Sequence, residues 1–282
     1  MQLLLQGKWD CAIVNLTKKE RTDGMDAILQ AMDLKKRFKL SAKQQKLENS
    51  RRKFVDAVGG LSFSVNRGEI YGLLGPNGAG KTTTLRMLAT LIRPDAGDAL
   101  LEGRSIVKEP EAVRRRIGFL TSELKLEDYF SPSYLFDFFA QLHGLSPQAR
   151  AARKAELFDT FGIGEFAGVK VANLSTGMKQ KAALAISLAH DPDIVIFDEP
   201  TNGLDVLTAK VVTDYLLALR RQGKTLIVST HIFSLIEKIC DRVGVIIGGK
   251  MAADGTLQEV CAGQSLEDRF FAIYAQTVGE EA

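Results

Sequence analysis

Five short apolar runs punctuate the chain, at residues 27–32, 70–74, 194–197, 226–229 and 243–247. Runs of this length, too short for helices and apolar at most successive positions, predict buried strands. The later runs are separated by segments with helical spacing, clearest over 208–219. Strands alternating with helices predict an α/β fold, a mainly parallel sheet covered on both sides. The middle, about 123–189, breaks this rhythm: helical periods run over 134–142 and 149–161 with few β-branched stretches, which predicts a helical subdomain inserted into the α/β core. Its first part, Tyr129 to Phe139, is dense in aromatic rings, and the helical period assigns most of them to the core. Residues 1–24 hold no sustained period, and Lys18-Lys19-Glu20-Arg21-Thr22-Asp23-Gly24 reads as a linker, so this part is taken as an N-terminal extension. No internal repeat is present in the sequence.

Composition narrows this picture only slightly. A chain of 282 residues, 45% hydrophobic, is long enough for one large α/β domain with a substantial core. A formal charge of +3 is too small to demand a nucleic-acid partner, and none is expected. The charge is unevenly placed, however: Lys35, Lys36, Arg37, Lys39, Lys43, Lys46, Arg51, Arg52 and Lys53 fall together, with 39–53 read as a basic insertion. Such a stretch is a solvated loop or helix face, or a contact for anionic lipid or nucleic acid. No apolar run reaches the roughly 18 to 20 residues needed to cross a bilayer, and the start lacks the pattern of a secretory signal, so a cytoplasmic protein is expected. Cys11, Cys240 and Cys261 are widely spaced and are expected to stay reduced.

The chemistry begins directly after the run at 70–74. Gly75-Pro76-Asn77-Gly78-Ala79-Gly80-Lys81-Thr82 matches G-x-x-x-x-G-K-[ST], follows a predicted strand and opens a helix, with Thr83 next. Glycines let such a loop wrap so that backbone N–H groups converge on phosphate oxygens, and the helix start adds its positive end. Lys81 is placed to reach the β and γ phosphates and Thr82 to ligate Mg²⁺. A nucleoside triphosphate with Mg²⁺ is the ligand this predicts.

A second piece follows the run at 194–197: Asp198 and Glu199 end a strand expected to lie beside the one that feeds the phosphate loop. Asp198, first after the run, suits the metal, and Glu199 suits the general base that polarises water. His231 follows Thr230 at the end of a third strand, on the same edge of the sheet, and is a candidate γ-phosphate contact. Read apart from the loop, the two acids are also compatible with a surface strand end, and the histidine with a structural role.

These pieces, together with Leu174-Ser175-Thr176-Gly177-Met178-Lys179-Gln180 and Gly203-Leu204-Asp205 in this order, resemble the ABC-type ATPases, whose signature is normally Leu-Ser-Gly-Gly-Gln. The resemblance spans about residue 25 to the C-terminus, and the Ser-Thr-Gly-Met-Lys-Gln form is similar to ATP-binding subunits of ABC-2 type exporters, including the sodium-efflux group. It implies a P-loop NTPase (RecA-like) core with an ABC antiparallel β-subdomain and an inserted helical subdomain, a nucleotide-binding domain over 25–262 and a closing helix over 263–282. It further implies an ATP hydrolase that powers transport through separate transmembrane permease subunits, peripheral on the cytoplasmic face of the cell membrane. Two such subunits, in a homodimer or heterodimer, would sandwich ATP so that Ser175 and Gly177 of one meet the γ-phosphate held by the other, with Asp205 at the same interface.

Three departures from the pattern are visible. Thr176 and Met178 replace a Gly and the terminal Gln of the signature, and Ser122 stands where the family places a Gln that touches Mg²⁺ and water, with Glu123 or a bridging water as substitutes. The aromatic ring that stacks on adenine corresponds to Phe38 better than to Tyr71, although extra residues separate it from the loop; a core role for Phe38 is the alternative. In the family the aromatic segment near 129–139 receives a helix of the membrane subunit. The competing readings are a soluble ABC ATPase acting on ribosome or DNA through the basic stretch, and a nucleotide-gated subunit with weak hydrolysis.

Overall fold

The computed structural model describes residues 27–40, 53–121 and 126–279. Its strands are β1 (Ala27–Lys39), β2 (Phe54–Asn66), β3 (Ile70–Leu74), β4 (Ala96–Leu101), β5 (Arg104–Ser105), β6 (Ile117–Thr121), β7 (Ile194–Asp198), β8 (Thr225–Thr230), β9 (Arg242–Ile247) and β10 (Lys250–Thr256). The helices are α1 (Lys81–Leu88), α2 (Pro110–Arg114), α3 (Pro132–Leu142), α4 (Pro147–Phe161), α5 (Thr176–Ser187), α6 (Val206–Arg221), α7 (Phe233–Ile239), α8 (Leu257–Cys261) and α9 (Leu266–Gly279).

The continuous apolar runs form strands because each side of the sheet has its own core. In β7, Ile194 and Ile196 enter one cluster with Leu85, Leu88 and Val58, while Val195 and Phe197 enter another with Leu157, Phe161 and Leu184. The same alternation splits Leu226 and Val228 from Ile227 in β8. With a period of two and both faces covered, the middle positions of these strands are apolar. The run at 27–32 instead enters β1, where Met32 is exposed, so that strand is not buried throughout as expected.

The six-stranded sheet has the order β10-β9-β3-β8-β7-β6, parallel except for β10, and a four-stranded antiparallel sheet has the order β2-β1-β4-β5. This corrects one expectation. The strand that ends in Asp198 does not lie beside β3, because β8 sits between them and pairs with both. Runs that are buried on both faces carry no mark of their neighbour, so pairing order is not written in their composition. All of β3, β7 and β8 nonetheless end on the same edge, which brings their following loops together.

The basic stretch is also revised. Lys35, Lys36 and Arg37 belong to β1, neither loop nor helix, and pair with Asp33, Asp95 and Asp56 in turn. The ends of β1 and β2 are joined by Lys39 opposite Phe54 and by the Lys53 carbonyl accepting from Leu40 N–H, and the rest of the basic insertion lies outside the described residues, as do 1–26.

Between β6 and β7 stand α3, α4 and α5. Ser131-Pro132 and Ser146-Pro147 start the first two: each serine hydroxyl accepts a backbone N–H from Tyr134 or Ala149, and each proline occupies the first turn, where its missing N–H costs nothing. Leu135, Phe136, Leu157, Phe158, Phe161, Leu184 and Ala185 bury one shared face of this trio.

Candidate active site

Strand β3 is buried at every position and delivers the chain into the loop 75–80. Gly80 caps α1 with φ 104°, and a Cβ there would lie 2.3 Å from the Ala57 carbonyl oxygen, so both the dihedral and the close approach require glycine. The loop thus holds its backbone at the start of α1, the arrangement that gathers N–H donors for phosphate. Lys81 is 5% exposed, and its ammonium donates to the carbonyls of Gly75 at 2.6 Å and Pro76 at 3.1 Å. Burial pushes its pKa down, while the carboxylates of Glu199 and Asp198 act in the opposite direction.

Asp198 is buried at the end of β7 and accepts from the Thr82 hydroxyl at 3.0 Å and from the Ser229 hydroxyl. Glu199 follows with φ 54°, a left-handed conformation that is costly for a residue with a Cβ. Its N–H is held by the Ser229 carbonyl at 3.1 Å. The side chain is then aimed back into the site: His231 Nδ1 donates to Oε1 at 3.0 Å, and Lys81 Nζ lies 3.8 Å from the same oxygen. A carboxylate only accepts, so the shared proton sits on His231 Nδ1.

Lys81, Thr82, Glu199 and His231 share one open cleft of about 710 Å³ with Asn77, Gly78, Ala79, Gly80, Thr83 and Phe38, and Asp198 is tied to its wall through the Thr82 hydroxyl. Phe38 lies in the cleft wall, 39% exposed, with Lys36 Nζ 5.7 Å from its ring centre. Tyr71 is fully buried, stacked on Phe63 and donating to Asp254. Asn202 lines the cleft too, and Ser229 holds Asp198; neither carried a sequence signal, because their parts depend on proximity across separate elements. Ser122 and Glu123 lie outside the described residues.

Ser175, Gly177 and Asp205 form a second group that does not line the cleft. Ser175 caps α5 by accepting the Met178 N–H at 3.3 Å, and Asp205 caps α6 by accepting from Leu207 and Thr208, both at 3.0 Å. The Thr208 N–H and hydroxyl hold the Asp205 carboxyl below the usual carboxylate range. A Cβ on Gly177 would stand 3.8 Å from both Asp205 Oδ2 and Thr208 Oγ1, so the starts of α5 and α6 are neighbours.

A second cavity, about 560 Å³, is lined by Phe130, Tyr134, Phe138, Phe139, His143 and His190 among others. Here the expectation that most rings of this segment are core is overturned: Phe136 is buried, but Tyr129, Phe130, Tyr134, Phe138 and Phe139 are 39–82% exposed. The period is helical as read, but α3 has two apolar faces. Leu135, Phe136 and Ala140 meet the core, and Phe130, Tyr134 and Phe138 stack in a row facing outward, at 4.6 and 6.5 Å between ring centres.

A family model described as ABC transporter matches residues 58–202. The chain is 38% identical to the ABC transporter ATP-binding protein NatA of Bacillus subtilis, over 77% of this chain and 89% of that protein. It is 42% identical to the Nod factor export ATP-binding protein I of Burkholderia orbicola over 70% of this chain and 65% of that one. The daunorubicin/doxorubicin resistance ATP-binding protein DrrA of Streptomyces peucetius is 38% identical over 72% and 62%. A solved ATP-binding subunit of an ABC transporter superposes with a TM-score of 0.76 at 26% identity, covering 88% of this chain and 99% of that one. The fold is shared also with a dimeric ATP-binding cassette in a post-hydrolysis state with ADP and phosphate, at a TM-score of 0.72, 23% identity and coverage of 81% and 98%. The phosphate loop, the Asp-Glu pair and these relatives lead to one conclusion: the chain belongs to the ABC transporter family, among its ATP-binding and ATP-hydrolysing subunits.

Proposed function

We propose that this chain is the motor of an exporter, held at the cytoplasmic face of the cell membrane by separate permease subunits, and that Lys81, Thr82, Asp198, Glu199 and His231 carry its hydrolytic site. The observation behind this reading is that Lys81, Thr82, Glu199 and His231 meet in one cleft from three strand ends, with Phe38 in its wall and Asp198 joined to it through Thr82. Backbone N–H groups of 75–83 and the Lys81 ammonium bind the phosphates, and Phe38 offers a ring to adenine. Thr82 and Asp198 would supply two hard oxygen ligands to Mg²⁺, which would neutralise charge on the transferring phosphoryl group. Glu199, fixed by His231, takes a proton from the attacking water. Lys81, now tied to the carbonyls of Gly75 and Pro76, turns to the phosphate oxygens instead.

The reading extends to the domains: a nucleotide-binding domain over 25–262, its helical subdomain at about 123–189, and a closing helical segment over 263–282. Export is favoured by the relatives named for Nod factor export and for daunorubicin/doxorubicin resistance. The outward row of Phe130, Tyr134 and Phe138 supports a permease contact, since contiguous exposed rings around a cavity suit an inserted apolar helix. Nucleic acid is disfavoured by the pairing of Lys35, Lys36 and Arg37 with carboxylates. Glu199→Gln tests the site. Turnover should fall by about 10²-fold or more with ATP affinity retained. Full turnover in that variant would remove Glu199 from the role of base.

A further inference from the structure

Two buried acceptor atoms beside the hydrolytic carboxylates find no donor among the described residues: Glu199 Oε2 and Gln180 Oε1. Both residues line a small cavity of about 30 Å³, whose wall also includes Thr121, Asp198 and Pro200. The other Glu199 oxygen is already engaged by His231 and faces Lys81. An unsatisfied buried acceptor costs about 1–3 kcal/mol, and native proteins usually meet such atoms with ordered water. One water needs roughly 10–15 Å³ of such space, so the cavity admits it. The chemistry also selects water: two acceptors cannot bond to each other, whereas a water carries two O–H donors. Turning the Gln180 amide round presents an N–H to the same water, and the bridge survives.

We infer that Gln180 is a positioning residue for hydrolysis, holding the free oxygen of Glu199 through a water bound in this cavity. The inference rests on the reading of Glu199 as general base. Gln180 lies one turn into α5, the helix capped by Ser175 and opened by Thr176-Gly177. The start of that helix is the part assigned to the partner subunit's nucleotide, so the bridge ties one chain's signature to its own base. A shift of α5 against β7 would disturb the base without touching the phosphate loop.

The test compares full-length Gln180→Leu and Gln180→Met, which lack the acceptor, with Gln180→Asn, which keeps a carbonyl oxygen one methylene further back. Steady-state hydrolysis, ATP affinity by calorimetry and the melting temperature are measured for each. The expected result is kcat lowered about tenfold in the Leu and Met variants, with KM and ATP affinity within about twofold of wild type. The Asn variant recovers to within about threefold, a second water spanning the gap. A crystal structure of the wild type at high resolution should show density for the water. Unchanged kcat in the Leu and Met variants, an equal loss in all three, or a loss carried in KM or ATP affinity overturns the inference. Glu199→Gln is run alongside: if it keeps full turnover, the reading of the base has failed instead, and the positioning role falls with it.

Discussion

Residue by residue, the two cavities differ in how they treat charge. In the nucleotide cleft Lys81 faces Glu199, which also accepts a hydrogen bond from His231. The strain of Glu199 at φ 54° is retained because the Ser229 carbonyl and the His231 ring fix both ends of the residue. In the second cavity two histidines stack instead, His143 on His190, with 3.9 Å between ring centres, and the His190 Nε2 contacts the Ile117 carbonyl at 3.0 Å. Burial first, and the neighbouring His143 second, push the His190 pKa down from 6.5 to about 4. The folded value lies below the unfolded one, so as pH falls the unfolded chain takes up the proton first. The contribution of the neutral ring is therefore complete above about pH 6.5 and is lost as pH falls towards 4. Between pH 7 and 5 the loss should be about 2 kcal/mol. Urea unfolding at both values checks it. His190→Gln, whose amide still donates to Ile117, should lose less stability than wild type over that interval, and identical slopes would refute the assignment.

At the scale of elements, α3 shows why a correct period does not fix an orientation. Its ring spacing is helical, but a helix with apolar residues on two faces has one face more than the domain can cover. What the sequence alone reveals is local and contiguous: the runs that became β3, β7, β8 and β9, the loop 75–80, and Asp198-Glu199 at a strand end. What it hides depends on partners distant along the chain. β2 contains Gly59-Gly60, the latter at φ 110°, which interrupts the alternation expected of a strand. The place of β8 between β3 and β7 and the hold of Ser229 on Asp198 are likewise products of packing. The open row on α3 leads to a definite expectation. Tyr134 and Phe138 leave their hydroxyl and ring edges outside the core, so the pair Tyr134→Ser and Phe138→Ser should shift the melting temperature by only a few degrees. Hot-spot aromatics of an interface, by contrast, cost about 2 kcal/mol or more each when truncated. Recovery of a polytopic membrane protein in pull-downs from detergent-solubilised membranes should fall by at least tenfold in the double variant, while the hydrolysis rate of the isolated chain stays unchanged. Undiminished recovery would place the permease contact elsewhere.

For the whole molecule the decisive feature is separation. Phosphate loop, Asp198, Glu199 and His231 gather at the ends of β3, β7 and β8, whereas Ser175 and Asp205 cap α5 and α6, with Gly177 in the first turn of α5, and none of the three lines that cleft. A capped helix start with glycine beside it is suited to an anion, yet within one chain no phosphate held by Lys81 is offered to it. A head-to-tail pair resolves this, each chain giving its helix start to the other's nucleotide, and a two-fold axis makes the two sites equivalent in a homodimer. Two individually inactive chains should then repair each other. Lys81→Ala destroys the cleft and leaves the helix start intact. Gly177→Asp leaves the cleft intact and sets a second carboxylate against Asp205, whose oxygen is close to the Gly177 position. In a mixture, half of the pairs are mixed, and each mixed pair has one site built from two intact halves, so about a quarter of wild-type turnover should return if the sites fire independently. Variants that stay at the sum of their separate activities after unfolding and refolding together would show that the site does not straddle two copies of this chain. The helix starts at Ser175 and Asp205 would then serve a different subunit as partner.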